Sequence, residues 1–275
     1  FFSDEFTQSA REKLTLETNL RKAIRQGDLQ VYYQPQLDIR SGKIIGAEAL
    51  VRWFDAELGM ISPARFIPVA EACGLINDIG QFVLEETCRQ GQCWLKLDLP
   101  KITLAVNVSP VQFKRFDMKK MVLETLAKTG YPAHALELEL TESALMENEE
   151  IVISSLNELR DLAIRLAIDD FGTGYSSLAY LKRFPLDVLK IDKQFIDDIP
   201  HSKDDMEIAT AIIGIAHTLG FKVLAEGVET AEQLAFLTSQ RCDFYQGYYC
   251  SPPIPAEQFE QLLRQQSNAT HHSTA

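Results

Sequence analysis

The chain has 275 residues, 46% of them hydrophobic, which is enough apolar material for one large buried core or two small ones. Asp and Glu outnumber Lys and Arg by 39 to 27, giving a formal net charge of −12. Because an acidic surface repels polyanions, this charge argues against binding of a nucleic-acid polymer and against contact of this fragment with anionic membranes. No apolar run approaches the roughly 20 residues that span a bilayer.

The five cysteines are odd in number and lack the paired spacing of a zinc site. They predict free thiols in a reducing compartment. No secretory signal is visible, because Phe1 and Phe2 are followed at once by polar and acidic residues. We therefore expect a cytoplasmic protein, or the cytoplasmic part of a membrane-anchored protein.

Residues 1–27 place the apolar Leu14, Leu20 and Ile24 among interleaved charges. This pattern predicts a connector helix or linker between domains, and the alternative is a helix packed on the bottom of the barrel described next. Residues 28–265 are expected to form that barrel. The polar residues 266–275 are expected to be a disordered tail.

From residue 28 onward, short apolar runs alternate with amphipathic stretches, which predicts a parallel sheet covered by helices. Gly130 and Gly220 close two of the amphipathic stretches and suit helix C-termini. Eight strands in this length predict a (β/α)8 barrel. The predicted strands are residues 29–39, 43–53, 102–109, 135–143, 165–172, 187–195, 222–229 and 243–249.

The first two predicted strands are separated only by Arg40, Ser41 and Gly42. This connection is too short for a parallel crossover, so these two strands should be antiparallel. The barrel should therefore be irregular.

Polar side chains recur at or near the carboxyl ends of the predicted strands, where a barrel builds its active site. Carboxylate and amide oxygens suit Mg²⁺ or Mn²⁺, and the number of acids favours two ions with one bridging carboxylate. Strand alternation predicts that Asp170 points away from Asp169 unless the chain turns there. The residues are Glu48, Asn107, Glu139, Asp169, Asp170, Lys190, Glu226 and Gln246.

A set of motifs in a fixed order resembles the EAL domain family, named for the tripeptide found here at Glu48–Leu50. The resemblance covers about residues 28–262 and implies a modified (β/α)8 TIM barrel with an antiparallel first strand. It also implies hydrolysis of 3′,5′-cyclic di-GMP to linear pGpG by a water activated by two Mg²⁺ or Mn²⁺ ions. The motifs are YYQPQ, AEALVRW, NVSP, ELTES, DDFGTGYSSL, LKIDKQFI, AEGVET and QGYYCSPP.

The resemblance implies roles for individual residues. Asp169 bridges two ions, Asp170 completes the second site, and Glu226 is a further catalytic carboxylate at the metals. Lys190 orients the attacking water. The ligands of the first ion are Glu48, Asn107, Glu139 and Asp169.

Other implied roles concern the substrate and a loop. Arg52 resembles the arginine that holds a substrate phosphate, and Glu142 resembles a glutamate that positions the loop at 171–177. The residues that line the substrate site are Gln34, Pro35 and Gln246. For Glu142 the residues themselves leave a helix-capping role open. In the loop, the candidate donors to Glu142 are Thr173, Ser176 and Ser177.

The resemblance further implies a homodimer and, from the opening residues, an upstream GGDEF or sensor domain in the full-length protein. The alternative function is a catalytically weak or inactive EAL domain that acts as a cyclic di-GMP receptor or protein-interaction module. A third hypothesis is an unrelated divalent-metal barrel enzyme, such as an enolase-like lyase. The ordered motif set argues against that third hypothesis.

Overall fold

The structure, a computed structural model, describes residues 2–145, 149–173 and 181–272. Within these residues the strands and helices alternate as the sequence predicts. The strands are β1 (Leu29–Asp38), β2 (Ile44–Asp55), β3 (Gly59–Ile61), β4 (Thr103–Val108), β5 (Leu136–Thr141), β6 (Arg165–Phe171), β7 (Val188–Ile191), β8 (Lys222–Ala225), β9 (Phe244–Gln246) and β10 (Ile254–Pro255).

The described helices cover the outside of the sheet. Two helices, Met118–Thr129 and Lys203–Leu219, end at Gly130 and Gly220, which adopt φ values of 71° and 86°, so both glycines cap helices as predicted. The helices are α1 (Phe2–Gln26), α2 (Pro63–Cys73), α3 (Ile76–Lys96), α4 (Pro110–Arg115), α5 (Met118–Thr129), α6 (Glu142–Leu145), α7 (Glu149–Asp161), α8 (Lys203–Leu219), α9 (Ala231–Ser239) and α10 (Ala256–His272). Among these described helices, none is long and apolar enough to cross a membrane.

Eight of the described strands close into a barrel in the order β1, β2, β4, β5, β6, β7, β8, β9 and back to β1. Strand β1 is antiparallel to both of its barrel neighbours, β2 and β9, whereas the other neighbours pair in parallel. The predicted (β/α)8 barrel with an antiparallel first strand is therefore confirmed. The short strands β3 and β10 extend the sheet and were not predicted.

The barrel interior is apolar below its mouth and charged at the mouth. Ala167, Val188 and Leu224 form a small buried cluster inside the barrel, packed against Phe244. Each of these residues lies two positions before a predicted site residue, on the same strand or, for Leu224 and Glu226, across the end of β8, and so faces the same side of the sheet. The apolar layer thus supports the polar groups above it.

Helix α1 is packed on the barrel, but at the mouth rather than the bottom. Its residues Leu20 and Ala23 are buried, and the helix contacts α2. It leads into Leu29, which pairs with Trp53, five positions beyond Glu48 on β2. Because β1 runs opposite to its neighbours, the chain enters the barrel from the mouth end, which disagrees with the alternative of a helix on the barrel bottom. The connector role of residues 1–27 stays a prediction.

The C-terminal boundary also differs from the expected one at residue 265. Helix α10 continues to His272, although residues 266–272 were expected to be disordered. The Gln266 side chain accepts a hydrogen bond from Ile44 N at 2.6 Å and donates one to Ile44 O at 3.0 Å. These bonds anchor the last turns of the helix to β2. Residues 273–275 of the predicted tail lie outside the described residues.

Candidate metal centre and substrate site

Lys190 occupies the centre of the barrel mouth and is fully buried. Its Nζ atom lies 2.7 Å from Glu226 Oε1, 2.8 Å from Glu139 Oε2, 3.1 Å from Asp169 Oδ1 and 3.7 Å from Glu48 Oε2. The structure thus brings together four carboxylates from β2, β5, β6 and the end of β8 around one ammonium group. Their summed charge exceeds that of Lys190 by three when all are ionised.

Two side-chain amides extend this cluster. Asn107 Nδ2 donates to Glu48 Oε1 at 2.6 Å, and the Gln246 amide donates to the other oxygen of Glu48. Gln246 Nε2 also donates to Gln34 Oε1 at 3.0 Å. Glu48 is therefore fixed from both sides by neutral partners on β4 and β9.

The backbone of β6 turns at the double aspartate. Asp170 has a φ of 53°, and the β6–β7 register shifts between Ile168 and Phe171. The sequence predicted that Asp170 would point away from Asp169 unless the chain turned there. That turn is present, so Asp170 does not point away from the site as it would in a regular strand. Carboxylate oxygens of Asp169, Asp170 and Glu226 all lie within 4.8 Å of one another.

Two groups of acids could each hold a metal ion. Oxygens of Glu48, Glu139 and Asp169 form one group, and those of Asp169, Asp170 and Glu226 form the other, each within 4.8 Å. Asp169 belongs to both, as a bridging ligand requires. Among the described residues, buried Glu139 Oε1 has no hydrogen-bond partner, so it is available to a cation. This donor set fits Mg²⁺ or Mn²⁺.

The buried charges shift the pKa values of the acids. Burial raises the pKa of Glu139 well above its ordinary value and that of Glu226 to about 8, although Lys190 opposes both shifts. Burial and the charge of Asp169 raise the pKa of Asp170 to about 6. Bound cations would relieve this excess of negative charge.

The pKa values of Lys190 and Glu48 shift in the directions that favour their charged forms. Burial alone would lower the pKa of Lys190, but the surrounding carboxylates outweigh it and raise that pKa well above its ordinary value. Burial alone would raise the pKa of Glu48, but Lys190 and the two amides together lower it. Metal-free, the site therefore holds a charged lysine and at least one charged carboxylate.

Glu142 contacts the loop that follows the double aspartate. Its Oε2 accepts a hydrogen bond from Gly172 N at 3.0 Å, and the glutamate is buried. The described candidate donor Thr173 instead donates to Asp170 O at 2.9 Å. Ser176 and Ser177 lie outside the described residues. The observed contact is the kind that a loop-positioning residue needs, although it goes to a backbone amide.

Three of the four predicted substrate residues lie at the site, and the fourth does not. Arg52 lies at the mouth with its guanidinium carbon 5.8 Å from the centre of the Tyr32 ring, and Gln34 and Gln246 lie inside the barrel beside Glu48. Pro35 pairs with Ala47 on the sheet, and strand alternation places its side chain on the outer face. The structure therefore does not bring the Pro35 side chain to the site.

A cavity of about 300 Å³ opens beside Asn107 and Arg52. Apolar side chains of α2 and α3 form much of its wall, together with a few polar groups. Such a cavity can hold an aromatic ring next to a phosphate group at Arg52. Its lining includes Arg52, Ile67, Glu71, Ile79, Ser109 and Thr141.

Two groups at the site were missed by the sequence analysis. Asp192 contributes a side-chain hydrogen bond and a like charge to Asp170. It lies two positions after Lys190, so the alternation used for the other acids could have identified it. Glu71 accepts a hydrogen bond from Ser109 at 2.6 Å, and no feature of the local pattern on α2 signals this contact.

Comparisons with known proteins agree with this geometry. The EAL domain model matches residues 17–253. The chain is 46% identical over 264 residues to the cyclic di-GMP phosphodiesterase NbdA of Pseudomonas aeruginosa, covering 96% of this chain and 34% of NbdA. It is 42% identical over 258 residues to the bifunctional diguanylate cyclase/cyclic di-GMP phosphodiesterase MucR of the same organism, covering 94% of this chain and 38% of MucR. The chain thus spans about a third of the length of these relatives.

A solved structure of the PaMucR phosphodiesterase in complex with c-di-GMP has the same fold. It matches with a TM-score of 0.87 at 42% identity, over 89% of this chain and 99% of that chain. The family model, the relatives and the barrel all lead to one conclusion. The chain belongs to the EAL domain family.

Proposed function

We propose that this chain hydrolyses one phosphodiester bond of 3′,5′-cyclic di-GMP and releases linear pGpG, using two Mg²⁺ or Mn²⁺ ions. The observation that carries the proposal is the position of Asp169, which belongs to both groups of acidic residues at the barrel mouth. Phosphodiester-cleaving sites use such a bridging carboxylate. The relatives named as cyclic di-GMP phosphodiesterases support the choice of substrate.

The residues that would hold the ions are those at the strand ends. Asp169 would serve both sites, Asp170 the second, and Glu226 would support them. When bound, divalent ions lower the pKa of a water molecule and neutralise negative charge on the phosphodiester. The proposed ligands of the first site are Glu48, Asn107, Glu139 and Asp169.

Lys190 and Glu226 supply the proton chemistry around that water. Lys190 Nζ lies within 3.1 Å of Glu139, Asp169 and Glu226, so a water bound among these acids would lie within reach of its N–H donors. Glu226 is 18% exposed, and once a bound cation favours its ionised form it would accept a proton from a water at the mouth. Attack of the water oxygen in line on phosphorus then breaks the bond to the ribose 3′ oxygen, which takes up one proton and leaves as the 3′-hydroxyl of pGpG.

The mouth also offers groups for binding the substrate. Arg52 would hold a phosphate, because its guanidinium is half-buried beside the cavity. The apolar part of the cavity wall would accept a guanine ring, while Gln34 and Gln246 would face the substrate from the barrel interior. Local positive charge is needed here because the whole chain carries a net charge of −12.

The alternative is a receptor that binds cyclic di-GMP without hydrolysing it. An assay separates the two functions: purified chain is incubated with cyclic di-GMP and Mg²⁺ or Mn²⁺, and the products are resolved by chromatography. The phosphodiesterase proposal predicts linear pGpG, and metal chelation should stop its formation. Binding of intact cyclic di-GMP with no product under either metal would favour the receptor.

The wider setting belongs to the same proposal. An upstream GGDEF or sensor domain is supported by relatives that are about three times as long as this chain. A homodimer is also part of the proposal, and the exposed Leu123 on α5 and Ile151 on α7 are candidate contact residues for it. A cytoplasmic location is supported by the five cysteines, all free thiols.

A further inference from the structure

A hydrogen bond ties α2 to the carboxyl end of β4. Ser109 Oγ donates to Glu71 Oε1 at 2.6 Å and accepts from Val111 N at 3.1 Å. The hydroxyl therefore uses its donor and one acceptor position at once, which fixes its rotamer. Ser109 is the residue that caps α4, two positions after Asn107.

A second contact holds the same turn. Ser109 N donates to Gln112 Oε1 at 3.2 Å, which completes a capping box. Gln112 is buried against α3, where a Cβ at Gly80 would lie only 1.9 Å from Gln112 Nε2. The turn after β4 is therefore held by α2 on one side and by α3 on the other.

Asn107 itself has little packing to keep it in place. It is exposed at the mouth, and its amide donates to Glu48 Oε1 at 2.6 Å. Its backbone pairs with Glu139 on β5, and among the described residues its side chain bonds to Glu48. The orientation of the amide oxygen that would meet an ion therefore also depends on the turn that leads from Val108 into Ser109.

We propose that Glu71 is a positioning residue that fixes the Asn107 amide at the metal site through Ser109. The inference rests on the proposed function for its metal site. Glu71 makes its contact from α2, outside the barrel strands that carry the acids. Its role is to hold the end of β4 so that the exposed Asn107 side chain keeps one orientation.

The test is a titration of the full chain with Mn²⁺, following the electron paramagnetic resonance signal of free Mn²⁺. Glu71→Ala and Ser109→Ala should each weaken Mn²⁺ affinity by about threefold to tenfold, less than the loss of a direct partner of a ligand. Glu71→Gln should bind Mn²⁺ as wild type does, because its carbonyl oxygen still accepts from Ser109. The double variant Glu71→Ala with Ser109→Ala should bind Mn²⁺ no more weakly than the single variant with the lower Mn²⁺ affinity.

A matched control separates positioning from helix capping. Ser202 caps α8 by accepting from Asp205 N at 3.3 Å, and neither residue belongs to the two groups of acids at the barrel mouth. Ser202→Ala should lower the thermal midpoint by losing a similar cap but leave Mn²⁺ affinity unchanged. Wild-type Mn²⁺ affinity in folded Glu71→Ala, or no Mn²⁺ binding by the wild type, would overturn the inference. If Glu71→Ala weakens Mn²⁺ binding but the wild-type protein does not cleave cyclic di-GMP, the positioning role of Glu71 stands and only the proposed reaction is rejected.

Discussion

Lys190 and Glu226 form a 2.7 Å ion pair in which the lysine side chain is fully buried and the glutamate is 18% exposed. The pair joins β7 to the chain just after β8, with Lys190 central to four carboxylates. Removing the ammonium would leave these acids buried without a cation. We therefore expect Lys190 to stabilise the metal-free fold in addition to its proposed role in the reaction.

We predict that Lys190→Met abolishes hydrolysis and destabilises the metal-free protein by about 3–5 kcal/mol, because buried charges lose their partner. Added Mg²⁺ should stabilise the variant more than the wild type, since the unpaired acids bind the cation. Urea unfolding with and without MgCl₂ measures both effects. Lys193→Met is the control: its ion pairs are half exposed, and its loss should cost no more than about 1 kcal/mol. Equal Mg²⁺ stabilisation of Lys190→Met and wild type would contradict this prediction.

Glu48→Gln and Asp169→Asn should each abolish hydrolysis while the fold survives. Each change removes one negative ligand at nearly constant shape. Product formation and circular dichroism are the measurements. Glu137→Gln is a matched control, because Glu137 is a buried acid two positions before Glu139 on β5, paired at 3.4 Å with Arg165 rather than with Lys190. Turnover near that of the wild type in folded Glu48→Gln or Asp169→Asn would refute the metal assignment.

Glu142→Ala should lower turnover about tenfold and weaken Mg²⁺ affinity, because Gly172 N loses its acceptor beside Asp170. Glu142→Gln should retain most activity, since its side chain keeps an acceptor. If Glu142 acts only as a helix cap, the alanine variant should lose about 1 kcal/mol of stability and keep its kinetics. Kinetic and thermal measurements on both variants distinguish these outcomes.

Metal binding should release protons. Burial raises the pKa of Glu226 to about 8, so at pH 7 this acid is mostly protonated in the metal-free protein. A bound cation favours the ionised form, and apparent Mg²⁺ affinity should rise with pH until the pH exceeds about 8. Calorimetry at pH 7 in two buffers of different ionisation heat should show release of at least one proton, because burial raises the pKa of Glu139 as well as that of Glu226. Glu226→Gln should lower this release, and an unchanged release in that variant would assign the protons elsewhere.

Ca²⁺ should bind but not support hydrolysis. It prefers longer bonds and looser coordination than Mg²⁺, so the reacting groups would be misplaced. Activity with each ion alone, together with competition between them, measures this effect. Full activity with Ca²⁺ as the sole divalent ion would show that the site does not require tight octahedral ligation.

Alternation of apolar and polar residues was sufficient to predict the barrel and its acidic mouth. Glu48, Asn107, Glu139 and Asp169 follow small or apolar residues on strands, and the structure brings their side chains together. The short connection at 40–42 likewise predicted the antiparallel first strand. These features depend on local periodicity and loop length, which the sequence carries directly.

Features that depend on distant contacts were not predictable in this way. The turn at Asp170 requires a register shift against β7, and the mouth position of α1 follows from the direction of β1. The last turns of α10 are polar, and bonds from Gln266 to Ile44 hold them in place. Glu71 meets Ser109 across 38 residues. In each case a tertiary contact decides what the local sequence leaves open.

Hydrolysis in water enriched in oxygen-18, followed by mass spectrometry of the product, tests the central claim most directly. Attack of water on phosphorus with loss of the ribose 3′ oxygen predicts linear pGpG carrying one oxygen-18 atom in its 5′-phosphate. The label should appear with Mg²⁺ or Mn²⁺ and should be absent with Asp169→Asn. Recovery of intact, unlabelled cyclic di-GMP from a metal-loaded wild-type protein would contradict the account.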